Sequence, residues 1–147
     1  LLFISAIGLT EVSGGSRHFN EATGSGFRNK IAGIGFTIGS LSMVGLPAFA
    51  GFISKILFAQ AALRNPHKML PVLIVLGIST ILNAIYFLKT VIRIYTPVES
   101  SIYKPLTMKD QKLYSVVIIL FVIINFFLGL MSSMVTEWIT RGLAMFS

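Results

Sequence analysis

Residues 31–54, 69–88 and 113–136 form three runs without a single charged side chain. Each matches the roughly 20 apolar residues a helix needs to cross the hydrocarbon core of a bilayer. Runs of this length exceed any ordinary strand. In lipid, only helices or closed barrels satisfy every backbone donor and acceptor. A barrel would alternate in polarity through segments of about ten residues, and residues 116–124 do not alternate. The expected fold is therefore all-α and integral to a membrane. Composition agrees, with 54% of residues hydrophobic and 12% charged, about half the charge of a typical soluble domain.

The runs divide the chain. Residues 1–12 read as the end of a truncated transmembrane helix, because an apolar stretch opens the chain with neither an initiator Met nor a basic leader. The chain is thus expected to be a fragment. Residues 13–30 are polar and glycine-rich, a loop. Residues 31–64 form a long second segment, and 69–95 a transmembrane helix after a short link. Residues 96–112 are a second polar loop, in which Pro97 and Pro105 oppose helix. Thr107 and Asp110 have the spacing of a capping box ahead of a last span over 113–138. Residues 139–147 are a C-terminal tail. Tyr114 and Trp138 bracket that last span about 36 Å apart, which suits two interfacial aromatic belts.

The net charge of +7 would suggest nucleic acid on a soluble protein. Here the basic residues lie between the spans, where they set topology, and no nucleic-acid partner is expected. Arg17, Arg28, Lys30, Arg93, Lys104, Lys109 and Lys112 fall on one side of the bilayer if each segment crosses once. Arg64, Lys68 and Arg141 fall on the other. The positive-inside rule then puts the two polar loops in the cytoplasm and the C-terminus outside. With no cysteine, a disulfide framework or a cysteine-ligated metal centre is excluded within this chain. The sequence holds no nucleophile–base pair, metal-ligand spacing or phosphate loop, so no cofactor and no catalytic chemistry are expected in it.

The second segment breaks the pattern. As one straight helix, residues 31–63 would measure roughly 50 Å against a hydrocarbon core of about 30 Å. Its middle holds Gly45, Pro47 and Gly51. Proline removes a backbone donor and clashes with the preceding turn, and glycine permits unusual torsions. A discontinuous helix is expected, broken near Pro47 and resuming near Gly51. Free backbone groups at membrane depth are tolerated only against protein or a wet cavity, and transporters place ion sites at such breaks. Lys55 lies one turn into the second half. Burial disfavours the charged form of an amine, which suits a group that must take and release a proton. The other reading ends the span near Gly51 and lets Lys55 snorkel to the outer surface. The residues alone leave both open.

Asn83 and Asn125 fall near the centres of their spans, where they line a hydrated path or hydrogen-bond between helices. Lys89 closes its span on the cytoplasmic side, feeding a proton path or snorkelling. Glu137 and His67 read as solvated surface residues. Gly35 and Gly39 make a GxxxG pair suited to close helix packing.

Residues 39–58, GSLSMVGLPAFAGFISKILF, resemble the signature of the antiporter-like subunits of respiratory complex I. That family also includes subunits of multisubunit sodium/proton antiporters and of membrane-bound hydrogenases. Gly45, Leu46, Pro47, Gly51, Phe52 and Lys55 fit its Gly-Leu-Pro-x-x-x-Gly-Phe-x-x-Lys pattern. Residues 84–89, AIYFLK, are similar to the tyrosine-plus-basic end of the family's next helix. The resemblance implies the C-terminal helices of a polytopic transporter bundle with inverted repeats, in the plasma membrane of a prokaryote, its C-terminus outside. It implies that Lys55 belongs to a proton-transfer chain and that the partners are lipid, other membrane subunits and protons or sodium ions. It also implies that redox cofactors, where the assembly is an NADH:quinone oxidoreductase, sit in partner subunits. The family's other key charged residues lie on earlier helices, outside this sequence. A structural scaffold without its own proton path, with Lys55 at the outer surface, is the alternative.

Overall fold

The computed structural model describes residues 1–15, 18, 20–64, 66–97 and 112–144. Arg17, Lys104, Pro105, Lys109 and the Thr107 and Asp110 pair lie outside the described residues. Among the described residues the regular elements are all helices, joined by turns, without strands. The helices are α1 (Leu2–Glu11), α2 (Ser25–Arg28), α3 (Lys30–Val44), α4 (Gly51–Leu63), α5 (Pro66–Ile94), α6 (Lys112–Leu130) and α7 (Ser132–Ala144). Met69–Ile94 and Lys112–Leu130 are long and apolar enough to cross a membrane by length and composition. At 15 and 13 residues, α3 and α4 are each only about 20 Å long, too short to do so singly.

Three boundaries differ from those expected. The loop 13–30 contains the short helix α2. The link after residue 64 is mostly helix, because α5 begins at Pro66. Proline's fixed φ suits a first helical position, where its missing N–H would be an orphan anyway. The last apolar run is divided at Met131 into α6 and α7. Backbone bonding nevertheless passes through the turn, from Met131 N to Phe127 O (3.0 Å) and from Val135 N to Met131 O (3.1 Å). The flanking Gly129, Ser132 and Ser133 are residue types at which helices bend.

The chain forms two compact units. The first comprises Leu1–Ser40 and Tyr86–Ile123. Leu9, Ala32, Ile94 and Ile118 make its buried core, surrounded by Ile4, Phe36, Tyr95 and Tyr114 among others. Asn29 caps α3, its Oδ1 accepting from Ala32 N at 3.1 Å while its Nδ2 donates to Gly8 O at 3.4 Å. An Asn there satisfies one of the orphan amides of the first turn. Tyr114 Oη accepts from Gly8 N at 2.6 Å and donates to Ile4 O. It thus engages both members of one i, i+4 pair of the α1 ladder. Only a glycine admits the ring there, since a Cβ on Gly8 would stand 2.7 Å from Tyr114 Oη. Arg93 Nη2 donates to Asn20 Oδ1 at 2.7 Å, and its Nε to Thr23 Oγ1 at 3.3 Å. The turn ahead of α2 is held in this way to the end of α5.

The second unit comprises Leu41–Ile85 and Ile124–Ser147. Here α4 packs against α7, and Phe49 meets Phe126 with ring centroids 4.9 Å apart. Much of its apolar surface is bare. Leu70, Val75, Ile81 and Leu82 on α5 are exposed, as are Phe58 on α4 and Leu130 on α6. In the most apolar window of α5 no residue is buried. Soluble monomers rarely expose contiguous apolar patches beyond a few hundred Å², so this surface is consistent with a membrane location.

Candidate functional site

The second unit contains the interruption between α3 and α4. Helix α3 ends in a Schellman motif. Leu46 N donates to Leu41 O at 3.3 Å and Gly45 N to Ser42 O at 3.0 Å, the paired closure that places a left-handed residue just past the helix. Gly45 is that residue, with φ +86°. Pro47 comes two residues later, exposed, where a helix cannot continue. A turn over residues 46–49, closed from Phe49 N to Leu46 O at 3.0 Å, leads into α4.

The start of α4 needs partners for its first amides, and side chains supply them. Gly51 N donates to Ser42 Oγ at 3.1 Å, and Ala50 N to Asn125 Oδ1 at 3.1 Å. On α6, Gly129 neighbours Asn125 at i, i+4 and Phe126 at i, i+3 spacing, and all three meet the turn. Gly129 lies against the backbone of Ala48 and Phe49, and Gly51 against the carbonyl of Ser42. A half-buried amide left without its acceptor destabilises by about 1 kcal/mol, the low end of the range for fully buried groups. Asn125→Leu is accordingly expected to lower the thermal stability of the detergent-extracted protein, while Asn125→Asp, which keeps the acceptor, is expected to retain most of it.

Lys55 completes the arrangement. It lies in the second turn of α4, half-buried, and its side chain runs back over the interruption. Nζ donates to Val44 O at 2.5 Å and to Thr80 Oγ1 on α5 at 2.7 Å. Thr80 Oγ1 donates in turn to Leu76 O at 2.8 Å. Val44 O is one of the carbonyls the Schellman closure leaves open, at the negative end of the α3 macrodipole, where a cation is favoured. Both partners of Nζ are neutral oxygens. An ammonium carries three N–H donors and no acceptor, so one donor remains after these two bonds; in the neutral amine the two N–H groups match the two oxygens and the remaining position is a lone pair.

Of the expected site residues, Gly45, Pro47, Gly51, Lys55 and Asn125 come together at the interruption. Asn83 is half-buried on α5, one turn beyond Thr80. Lys89 is exposed and belongs to the first unit. Glu137 is exposed and lines a cleft of about 400 Å³ with Gln60, Ser133, Thr136 and Arg141; Lys55 does not line it. Thr80 and Ser42 were not singled out from the sequence. Hydroxyls in apolar helices usually bond back to the preceding turn, so neither stands out by spacing. Among the described residues, no group of three or more His, Cys, Asp or Glu side chains could hold a metal ion.

No family model and no solved structure matches the chain. Over 77 residues the chain is 30% identical to NADH-quinone oxidoreductase subunit N 1 of Sorangium cellulosum, an alignment covering 52% of this chain and 15% of that protein. Over 145 residues it is 23% identical to NADH-quinone oxidoreductase subunit N of Saccharopolyspora erythraea, covering 97% of this chain and 27% of that protein. The chain therefore spans between 15% and 27% of the length of these curated relatives. Both similarities are distant, and both broadly support the antiporter-like family resembled by residues 39–58.

Proposed function

We propose that this chain is the C-terminal part of an antiporter-like, proton-translocating membrane subunit of an NADH-quinone oxidoreductase, with Lys55 in its proton-transfer chain. The observation that carries this reading is the amine of Lys55 at the open end of an interrupted helix pair, held by neutral oxygens with one donor position to spare. In the proposed cycle the neutral amine takes, on its lone pair, a proton relayed by hydrated protons in the path, which leaves neutral water behind. The resulting ammonium then releases it to the next carrier, and no covalent bond to carbon changes. Helices α3 and α4, each too short to span, together form one discontinuous crossing. The two polar loops face the cytoplasm, the C-terminus faces outward, and the subunit sits in the cytoplasmic membrane of a prokaryote. Electron transfer and its cofactors belong to partner subunits. The names of both relatives favour an NADH-quinone oxidoreductase over a sodium/proton antiporter assembly.

A second reading rests on the same bond. Capping Val44 O is a structural act, and a scaffold segment with no proton path of its own would also use it. Water access separates the two. A cysteine at position 55 in the full-length subunit is expected to react slowly with a charged, membrane-impermeant thiol reagent, and much more slowly than one at position 68. Equal labelling at both positions from the outer side would support the surface scaffold.

A further inference from the structure

We propose that Thr80 is a positioning residue for Lys55, an inference that rests on the proton-transfer reading of that lysine. A lysine side chain is long and flexible, and one hydrogen bond to Val44 O leaves its amine free to swing. The second bond, 2.7 Å to Thr80 Oγ1, comes from a different helix, 25 residues further along the chain. The Thr80 hydroxyl has a fixed polarity. Its hydrogen is committed to Leu76 O at 2.8 Å, so it presents a lone pair to Nζ and acts there only as an acceptor. Two fixed acceptors, Val44 O and Thr80 Oγ1, define the direction of the remaining position on Nζ, through which a proton must enter and leave. Gly45 makes room for this path of the side chain. A Cβ at residue 45 would stand 2.5 Å from Lys55 Cδ and 2.8 Å from Cε.

A threonine that merely bonds to its own helix would leave Lys55 unaffected by its loss, and this gives the test. Thr80→Val keeps the shape and removes the hydroxyl; Thr80→Ser keeps the hydroxyl. Both are compared with Lys55→Met in the full-length subunit within its assembled complex, in inverted membrane vesicles energised with NADH. Protons moved per NADH are followed across a range of pH, with rates taken per assembled complex so that altered assembly does not enter. Thr80→Val is expected to lower proton movement roughly tenfold, the equivalent of one ordinary net hydrogen bond, and to displace the pH profile. Thr80→Ser is expected to restore both. Wild-type rate and profile in Thr80→Val, beside a defective Lys55→Met, would overturn the role of Thr80 and leave that of Lys55 standing. A Thr80→Ser variant as defective as Thr80→Val would also overturn it, since the hydroxyl would not be what matters. Normal proton movement in Lys55→Met would remove both.

Discussion

Replacing Lys55 with methionine in the full-length, assembled subunit is expected to cut proton translocation by roughly 10²-fold, the low end of what a positioned proton-transfer group contributes. Methionine is of similar length, so the packing around α4 changes little. The bonds to Val44 O and Thr80 Oγ1 are lost, but Val44 is only half-buried. Leaving its carbonyl unmet is worth about 1 kcal/mol, too little to unfold a helical membrane subunit. A loss of transport with normal assembly would therefore report on the proton and not on the fold. Lys55→Arg sharpens the test. The guanidinium keeps the positive charge and the donors that cap α3, but it does not give up its proton in proteins. If Lys55 is only a cap, arginine should work as well as lysine. If it carries protons, arginine should assemble normally and fail to transport. Vesicle acidification driven by NADH, paired with native gel electrophoresis for assembly, reads both outcomes, and wild-type transport in Lys55→Arg would exclude the proton-carrier role.

The end of α3 was legible because its signals are local. Pro47 forbids continued helix and Gly45 supplies the left-handed torsion, so the end of α3 could be placed from a few adjacent residues. The partners of the freed backbone groups were not legible in the same way. Ser42 lies nine residues from Gly51, Thr80 is 25 from Lys55, and Asn125 is 75 from Ala50. Contacts at such separations leave no periodic trace in one sequence. Asn125 drew notice as a polar residue in an apolar run, but its partner could not be named. Tyr114 read as an interfacial aromatic, yet its hydroxyl bonds the backbone of α1 through Gly8 and Ile4. Pro66 looked like part of a link, because a proline that ends one helix and one that opens the next differ only in the conformation of the residues downstream. The turn at Met131 had no proline to announce it. Apolar length, by contrast, was plain from the start, since a charge-free run of about twenty residues is the length a bilayer demands of a helix.

Substituting alanine for Gly51 or Gly129 is expected to destabilise the protein more than any other conservative change in the second unit. In the interior of a helix, Gly→Ala normally stabilises by about 1 kcal/mol. Both sites reverse that sign for a steric reason. A Cβ on Gly51 would fall on the carbonyl of Ser42, and one on Gly129 on the carbonyl of Ala48, 2.6 Å from Phe49 Cα. The atoms in the way are backbone, which cannot swing aside as a side-chain end can. Relief requires moving α4 off the end of α3, or α6 off the turn, and either shift pulls Ala50 N from Asn125 Oδ1 or Gly51 N from Ser42 Oγ. Overpacking of this kind destabilises by about 1–3 kcal/mol, and each lost hydrogen bond adds about 1 kcal/mol. Gly77 provides the internal control. It lies in α5, and a Cβ there would meet nothing within 4 Å, so Gly77→Ala should match or exceed the wild type. Subunit abundance in the membrane and the unfolding temperature in detergent rank the three variants. Gly51→Ala and Gly129→Ala should both fall well below Gly77→Ala; equal stability across all three would mean that the helices do not approach as closely at the interruption as the two glycines require.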